Sequence, residues 1–355
     1  MLFIVLAYEA VNILFYRQNE QKDTRISVYG FIIVISCFLQ AMFGVVQFFG
    51  FFQISTTLWV TGSFDNPAGF AACLCAGFPF VGFLLSDSNK YIRYVGGLIG
   101  FVIVIAVILS QSRAGIMSIA FICFILLNMK FFHKRWVKYL SLLCFALLLS
   151  GCYWMKKDSA DGRLLIWRCS VSMVKDAPWL GHGIGSFEAR YMDYQADYFR
   201  QYGLNRYSML ADNVKHPFNE YLGVLLNFGF VGLLMILALI TLLIYCYKKH
   251  PCAEKRIAFY SLISIGVFSF FSYTFTYPFT WIVTFLCIII LTKEYIAKVF
   301  TCPIIKNTVC IFILLCSFWG IYNLVKRVMA EKEWGNTSRL ALCGHPAKLF
   351  RLMQS

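Results

Sequence analysis

Uninterrupted apolar runs set the plan of this chain. They lie near residues 2–16, 26–52, 66–86, 94–110, 114–129, 139–155, 220–247, 257–274, 278–292 and 307–325, and apart from Glu220 at the very start of the seventh, Glu9 is the only charged side chain within them. A helix rises about 1.5 Å per residue, so runs of this kind match a hydrocarbon layer about 30 Å thick. Ten-residue segments of alternating apolar and polar positions, the mark of a membrane β-barrel, do not occur. The pattern predicts an all-α, polytopic helical transmembrane protein with about ten spans plus a large outer loop with surface helices.

Composition narrows the class. Of 355 residues 60% are hydrophobic and 14% charged, against about 45–50% and about 25% in soluble domains, so a soluble globular chain is excluded. The net charge of +15 would favour nucleic acid in a soluble protein, but here the basic residues follow the connections between runs. Arg17 to Arg25, Lys90 and Arg93, Lys130 to Lys138, Lys248 to Arg256 and Lys293 to Lys306 mark alternate connections, whereas 53–65 and 275–277 carry no Lys or Arg. The positive-inside bias puts the basic connections inside and the segment 156–219, with the tail after Lys326, outside. No nucleic-acid partner is expected. The fourteen cysteines lie mostly in or beside apolar runs as small hydrophobes; Cys73 and Cys75 are too close, with no histidine near, for a metal knuckle.

The segment 156–219 is too long for a plain connection. From Asp161 it reads DGRLLIWRCSVSMVKDAPWLGHGIGSF: an Asp helix cap, an amphipathic stretch to Lys175, Pro178 as a breaker and a glycine turn. Phe187, Tyr191, Tyr194, Tyr198 and Tyr202 then fall on one face of a second helix. That stripe reads as packing or interfacial anchoring, with stacking against sugar rings as the alternative.

Ion-coupled transporters hold carboxylates or broken helices near the bilayer midplane, and the scarcity of ionisable groups in the runs points away from them. Polar groups gather instead at the outer ends, in TGSFDN (61–66), SQSRAG (110–115), DGRLLIWR (161–168) and DNVKHPFNE (212–220). Arg113 is a lone arginine in a tight outer turn. Its planar fork suits a diphosphate, the alternatives being snorkelling or pairing with Asp65 or Asp161. His216 precedes Pro217 near the start of a helix, whose dipole favours a neutral imidazole able to accept a proton from a sugar hydroxyl; a capping role is the alternative. Asp212 and Glu220, four residues to either side, are placed to orient it. The turn Gly181 to Phe187 lacks the strand and spacing of a dinucleotide fingerprint and reads as a link between two surface helices.

These residues resemble the O-antigen ligase and polymerase superfamily, membrane glycosyltransferases that use polyprenyl-diphosphate-linked glycans. SQSRAG is similar to the family's serine-arginine-glycine turn. Arg163 and Trp167 stand ahead of a P-x-x-G-x-G turn (Pro178, Gly181, Gly183), and NEYLGVLLNFGFVG enters the next span. GSFDNPAGFAA and YPF are weaker likenesses, and the whole covers roughly residues 60–295. In many relatives a His-Asn pair directly precedes the span; here Phe218 fills that histidine position before Asn219, and His216 lies two residues upstream.

The resemblance implies glycan transfer without metal, nucleotide or other cofactor, on the periplasmic face of the bacterial inner membrane among membrane lipids. A polyprenyl-diphosphate-linked glycan donor would meet the hydroxyl of a glycan or lipid acceptor such as the lipid A core. Arg113 and Arg163 would hold the diphosphate and His216 would act as base, with Arg168, Asn66, Trp167, Asn219, Glu220 and Asp212 lining the substrate site. A polysaccharide polymerase of the same superfamily, or a lipid-linked-glycan flippase or exporter, is the alternative. The domains expected are spans one to six (1–155), a periplasmic loop (156–219), spans seven to ten (220–325) and a periplasmic tail (326–355) that reads as the start of a truncated domain.

Overall fold

The computed structural model describes residues 22–51, 60–131, 134–155, 157–299 and 303–342. The expected first span (2–16) and the tail beyond 342 lie outside these residues. The described chain is all-helical: α1 (Lys22–Phe48), α2 (Pro67–Gly77), α3 (Val81–Leu85), α4 (Lys90–Leu109), α5 (Arg113–Lys130), α6 (Arg135–Met155), α7 (Lys157–Asp176), α8 (Ser186–Tyr202), α9 (Glu220–Lys249), α10 (Ala253–Phe271), α11 (Pro278–Val299) and α12 (Pro303–Leu342), with short 3-10 turns between some of them. Among the described residues, five helical stretches are long and apolar enough to cross a membrane: Val28–Phe48, Pro67–Leu85, Lys90–Leu109, Glu220–Lys249 and Pro278–Tyr295. The apolar stretch Arg113–Met129 is shorter. The runs expected at 139–155, 257–274 and 307–325 fall largely on α6, α10 and α12. Two compact units divide the chain, residues 21–293 and residues 1–20 with 294–355.

The unit 21–293 is built around α2, PAGFAACLCAG, in which every residue from Gly69 to Gly77 is buried. Asn66 caps it by accepting from Gly69 N at 2.9 Å, and Pro67 supplies a preset first turn. Small side chains let neighbours approach closely, as they do wherever helices pack without help from water. A Cβ on Gly69 would stand 2.5 Å from the Tyr277 ring, and one on Gly115 of α5 would stand 2.9 Å from Ala71. Serines then tie α10 to this helix: Ser261 Oγ donates to Ala76 O at 2.6 Å and Ser264 Oγ to Cys75 O at 2.7 Å.

The segment after α6 departs from expectation. Asp161 does not cap a helix: α7 already begins at Lys157, and Asp161 is buried one turn inside it, accepting from the Tyr153 hydroxyl at 3.2 Å. The tyrosine stripe splits in two. Phe187 and Tyr191 are core with Leu165, Cys169, Met173 and Leu226, whereas Tyr202 at the other end is 62% exposed.

The turn 178–183 does more than link α7 to α8. Helix α9 is broken at Gly229 (φ 62°, ψ −159°). In an unbroken helix Phe230 N would reach Leu226 O and Val231 N would reach Asn227 O. Here Phe230 N donates to Pro178 O at 2.8 Å and Val231 N to Trp179 O at 3.2 Å, while Leu226 O accepts from His182 N at 2.7 Å and Asn227 O from Gly183 N at 3.1 Å. The turn is inserted into the helix like an extra rung and satisfies both severed pairs. His182 ties it back to α7, one ring nitrogen 2.8 Å from Met173 O and the other 3.0 Å from Arg190 Nη1.

The break also bends α9. Tyr221 donates to Gly266 O at 3.0 Å, and the Tyr247 ring stacks on Phe259 at 4.6 Å. Twenty-six residues of straight helix would run about 39 Å, whereas positions 259 and 266 of α10 are separated by about 10 Å. Helix α9 therefore bows away from α10 between these contacts.

Gly229→Ala and Gly181→Ala should both destabilise the protein. Gly229 has glycine-only backbone angles and its Cβ would collide with the Trp179 carbonyl; Gly181 (φ 68°) would bring a Cβ to 2.6 Å from the backbone of Asn227 and Phe228. Each should lower stability by at least about 1–3 kcal/mol. Gly97→Ala, in mid-helix with nothing within 4 Å, should be neutral or stabilise by up to about 1 kcal/mol. Thermal unfolding in detergent separates the two classes.

Candidate functional site

The site is assembled where the Ser110–Arg113 turn, α7, the entry to α9 and the 272–277 connection meet. Ser112 caps α5 by accepting from Gly115 N at 3.4 Å, which makes Arg113 the first residue of that helix. Its Nη2 donates to Ser159 Oγ of α7 at 2.8 Å. One turn further along α7, Arg163 Nη1 donates to Phe271 O at 2.6 Å, and its guanidinium lies 5.0 Å from the centre of the Phe218 ring. Burial first, and then the charge of Arg113, lower the Arg163 guanidinium to about 10, with Tyr273 opposing. It stays cationic at neutral pH, and the structure thus holds two arginines close enough to repel.

The entry to α9 is unusual in its backbone. Phe218 has φ +52°, a conformation that costs a bulky residue of order 1–3 kcal/mol and persists only where its surroundings over-determine it. Trp167 Nε1 holds Pro217 O at 3.0 Å, Asn219 Oδ1 accepts from Leu222 N at 3.0 Å as the helix cap, and the Glu220 carboxylate accepts from Phe275 N at 2.8 Å. These three bonds pin both sides of Phe218 and turn its ring under Arg163.

His216 stands beyond. Its ring stacks on Tyr273, centres 4.7 Å apart and 24° between planes, and Phe218 meets the same tyrosine edge-on at 5.4 Å. The Tyr273 hydroxyl accepts from Asn66 Nδ2 at 3.3 Å, and Tyr277 donates to Asn66 Oδ1 at 3.0 Å. Burial pushes the His216 imidazole below its ordinary value; Glu188 acts upward and Lys215 downward.

Several sequence expectations change here. His216 is not in a first helical turn: α9 starts at Glu220 with Asn219 as cap. Neither flanking carboxylate orients it, since Glu220 is bound to the Phe275 amide and Asp212 accepts from Asn213 N at 2.7 Å while its carbonyl accepts from Gln195. Arg168 is not with the other arginines; it lies on another face of α7 against Tyr198 and Tyr207. Arg113, Arg163, Trp167, Asn219, Glu220, Asn66 and His216 are brought together. Tyr273 and Glu188 were missed; Tyr273 has only its place in a charge-free, aromatic connection as a signal.

In the bow of α9 an open apolar cavity of about 710 Å³ is lined by α5, α6, α9 and α10, with Phe270, Phe271, Tyr221, Phe121, Phe145 and Leu243 among its residues. The carbonyl that receives Arg163 belongs to Phe271 on its rim. Among the described residues no three His, Cys, Asp or Glu side chains gather as metal ligands.

No match to a curated protein is found. A family model described as O-antigen ligase matches residues 98–237, a stretch that runs from α4 through both arginines, the inserted turn and His216 to beyond the break at Gly229. Over these residues the chain is similar to the O-antigen ligase family.

Proposed function

We propose that the protein transfers a glycan from a polyprenyl-diphosphate donor to an acceptor hydroxyl at this site, on the periplasmic face of the bacterial inner membrane. The observation that supports the reading is a pair of neighbouring, mutually repelling arginines, one of which, Arg163, bonds the carbonyl of Phe271 in the lining of a large apolar cavity. A diphosphate relieves the repulsion through charge-assisted, forked hydrogen bonds, and the cavity takes the apolar chain that the diphosphate carries. As the bond from sugar to diphosphate breaks, negative charge grows on the leaving oxygens. Arg113 and Arg163 already face that place and need little reorganisation to stabilise it.

His216 acts as the base. Stacked on Tyr273 and half-buried, it is neutral at pH 7, and its ring nitrogens have no hydrogen-bond partner among the described residues. It accepts the proton of the attacking hydroxyl. Trp167, Asn219 and Glu220 act by fixing the 216–220 backbone, and Asn66 by fixing Tyr273. Ten spans, with 156–219 outside, complete the reading. Transfer by purified protein in detergent, where no sidedness remains, distinguishes it from a flippase or exporter, which would make no bond.

Three outcomes are expected. Arg113→Lys and Arg163→Lys keep the charge but lose the fork, and each should lower turnover; loss of one transition-state donor typically costs about 10²–10³-fold. Full transfer by both lysine variants at normal membrane levels would remove the arginines from the mechanism. His216→Ala should lower turnover by about 10²–10⁴-fold with donor binding nearly intact. Because the imidazole is lowered, the wild-type rate should stay level through neutral pH and fall only below about 6.5, as the base becomes protonated. An acid limb unchanged in the alanine variant would assign the proton to another group. For topology, Ala196→Cys, an exposed position of α8, should react in a cysteine-free background with an impermeant maleimide without permeabilisation of the inner membrane.

A further inference from the structure

Helix α7 presents two chemically distinct faces. At 100° per residue, Ser159, Arg163 and Trp167 share an arc of about 80°, whereas Asp161 and Arg168 lie roughly 150° around from it. The first face builds the candidate transfer site. The second meets α8 and the 203–210 segment, and it carries a cluster that the proposed transfer does not use.

Tyr207 is its floor, buried to 2% exposure. Two guanidiniums stand over that one ring, Arg168 at 5.1 Å and Arg206 at 4.7 Å from its centre. Arg206 also donates to the Tyr207 hydroxyl at 2.5 Å, and Arg168 donates to the Tyr198 hydroxyl at 3.5 Å. Asn205 Nδ2 reaches the same Tyr198 hydroxyl at 3.4 Å. The Tyr198 ring lies against Tyr202, centres 4.9 Å apart and planes tilted by 37°. Both arginines are exposed, and Tyr202 is 62% exposed. Among the described residues neither guanidinium has a carboxylate within ion-pair distance; the nearby acid, Asp161, is buried and accepts from Tyr153.

An arginine carries five N–H donors, and each of these spends only one on the protein. Both exposed guanidiniums lie about 5 Å from the centre of one buried aromatic ring, which leaves their remaining donors for a ligand, and the carboxylate whose charge reaches Arg206, Asp161, is buried. That is a recognition pattern for a planar or tetrahedral anion. The exposed Tyr202 beside it offers an apolar ring and a hydroxyl together, the combination that suits a pyranose with one apolar face and a rim of hydroxyls.

We infer that this second face of α7 is a subsite for an anionic saccharide, a sugar bearing a carboxylate or a phosphate substituent. It holds a stretch of the glycan or of its acceptor away from the reacting bond. The inference rests on the transfer reading for its setting, but it concerns binding alone and is tested without transfer.

The full chain in detergent is titrated with a fluorescent oligogalacturonide, with a neutral malto-oligosaccharide of equal length and with a sugar-phosphate oligosaccharide. Binding of at least one anionic ligand, weakened by added salt and absent for the neutral one, is expected. Arg206→Gln should weaken it about ten-fold or more, the scale of a lost charged hydrogen bond, and Tyr202→Ala should weaken it as well. Arg168→Lys, which keeps charge over the buried Tyr207, is the companion variant should Arg168→Gln unfold. Preference for the galacturonide or for the sugar phosphate tells the two anion types apart. Equal binding of the neutral oligosaccharide, no binding of either anion, or binding indifferent to both arginines overturns the inference. Binding lost in Arg163→Gln but kept in Arg206→Gln overturns it too, since the anion would then occupy the other face. Because no bond is made in the assay, inactive protein that still binds here would count against the transfer reading alone.

Discussion

A backbone amide in an apolar layer has no water to bond with, so a broken helix there is tolerable only if other protein groups take over the severed bonds. The break at Gly229 meets this demand with the turn 178–183, whose two carbonyls and two amides replace the partners that Leu226, Asn227, Phe230 and Val231 lose to one another. The exchange requires backbone to touch backbone, and therefore glycine on both sides, at Gly181 and Gly229. Much else depends on it. The turn fixes where α7 ends and α8 begins, and the break lets α9 bow around the apolar cavity while its first turn stays beside α10.

The same demand for over-determination appears at Phe218. A positive φ on a phenylalanine is held by three bonds from three elements, Trp167 of α7, the Asn219 cap and the Phe275 amide. Its result is an aromatic ring beneath Arg163. Cation–π contact contributes about 0.5–2 kcal/mol according to exposure and, with the Phe271 carbonyl, offsets the desolvation of the guanidinium. The position that holds histidine in many relatives thus supports a cation in this chain, while His216 finds its own partner in Tyr273.

Helix α7 is the divider of the polar region. Its two faces separate a cationic site joined to an apolar cavity from an arginine–tyrosine surface joined to α8, and neither face shares a titratable side chain with the other. Two surfaces on one helix keep a constant separation, which would suit the proposed transfer by holding one part of a long glycan still while another part reacts.

Much of the frame was legible in the sequence because hydrophobic run length and charge are local properties. They identified an all-helical membrane chain and marked the 110–115, 161–168 and 212–220 clusters, and Arg113, Arg163 and His216 among them, as candidate chemistry, which the fold then brings together. The turn at Pro178 and its glycines were visible as a turn. That it completes another helix was not, since the partner carbonyls lie some fifty residues away and no local preference records which amide will be orphaned. Asp161 and Arg168 looked like neighbours of Arg163 in a short motif, but 100° per residue sends them to another face. Tyr273, in a connection without charge or motif, becomes central only when folding stacks it against His216 and bonds it to Asn66. Distance along the chain decided what the sequence could say; distance in space, set by packing and by the need to satisfy buried polar groups, decided the site.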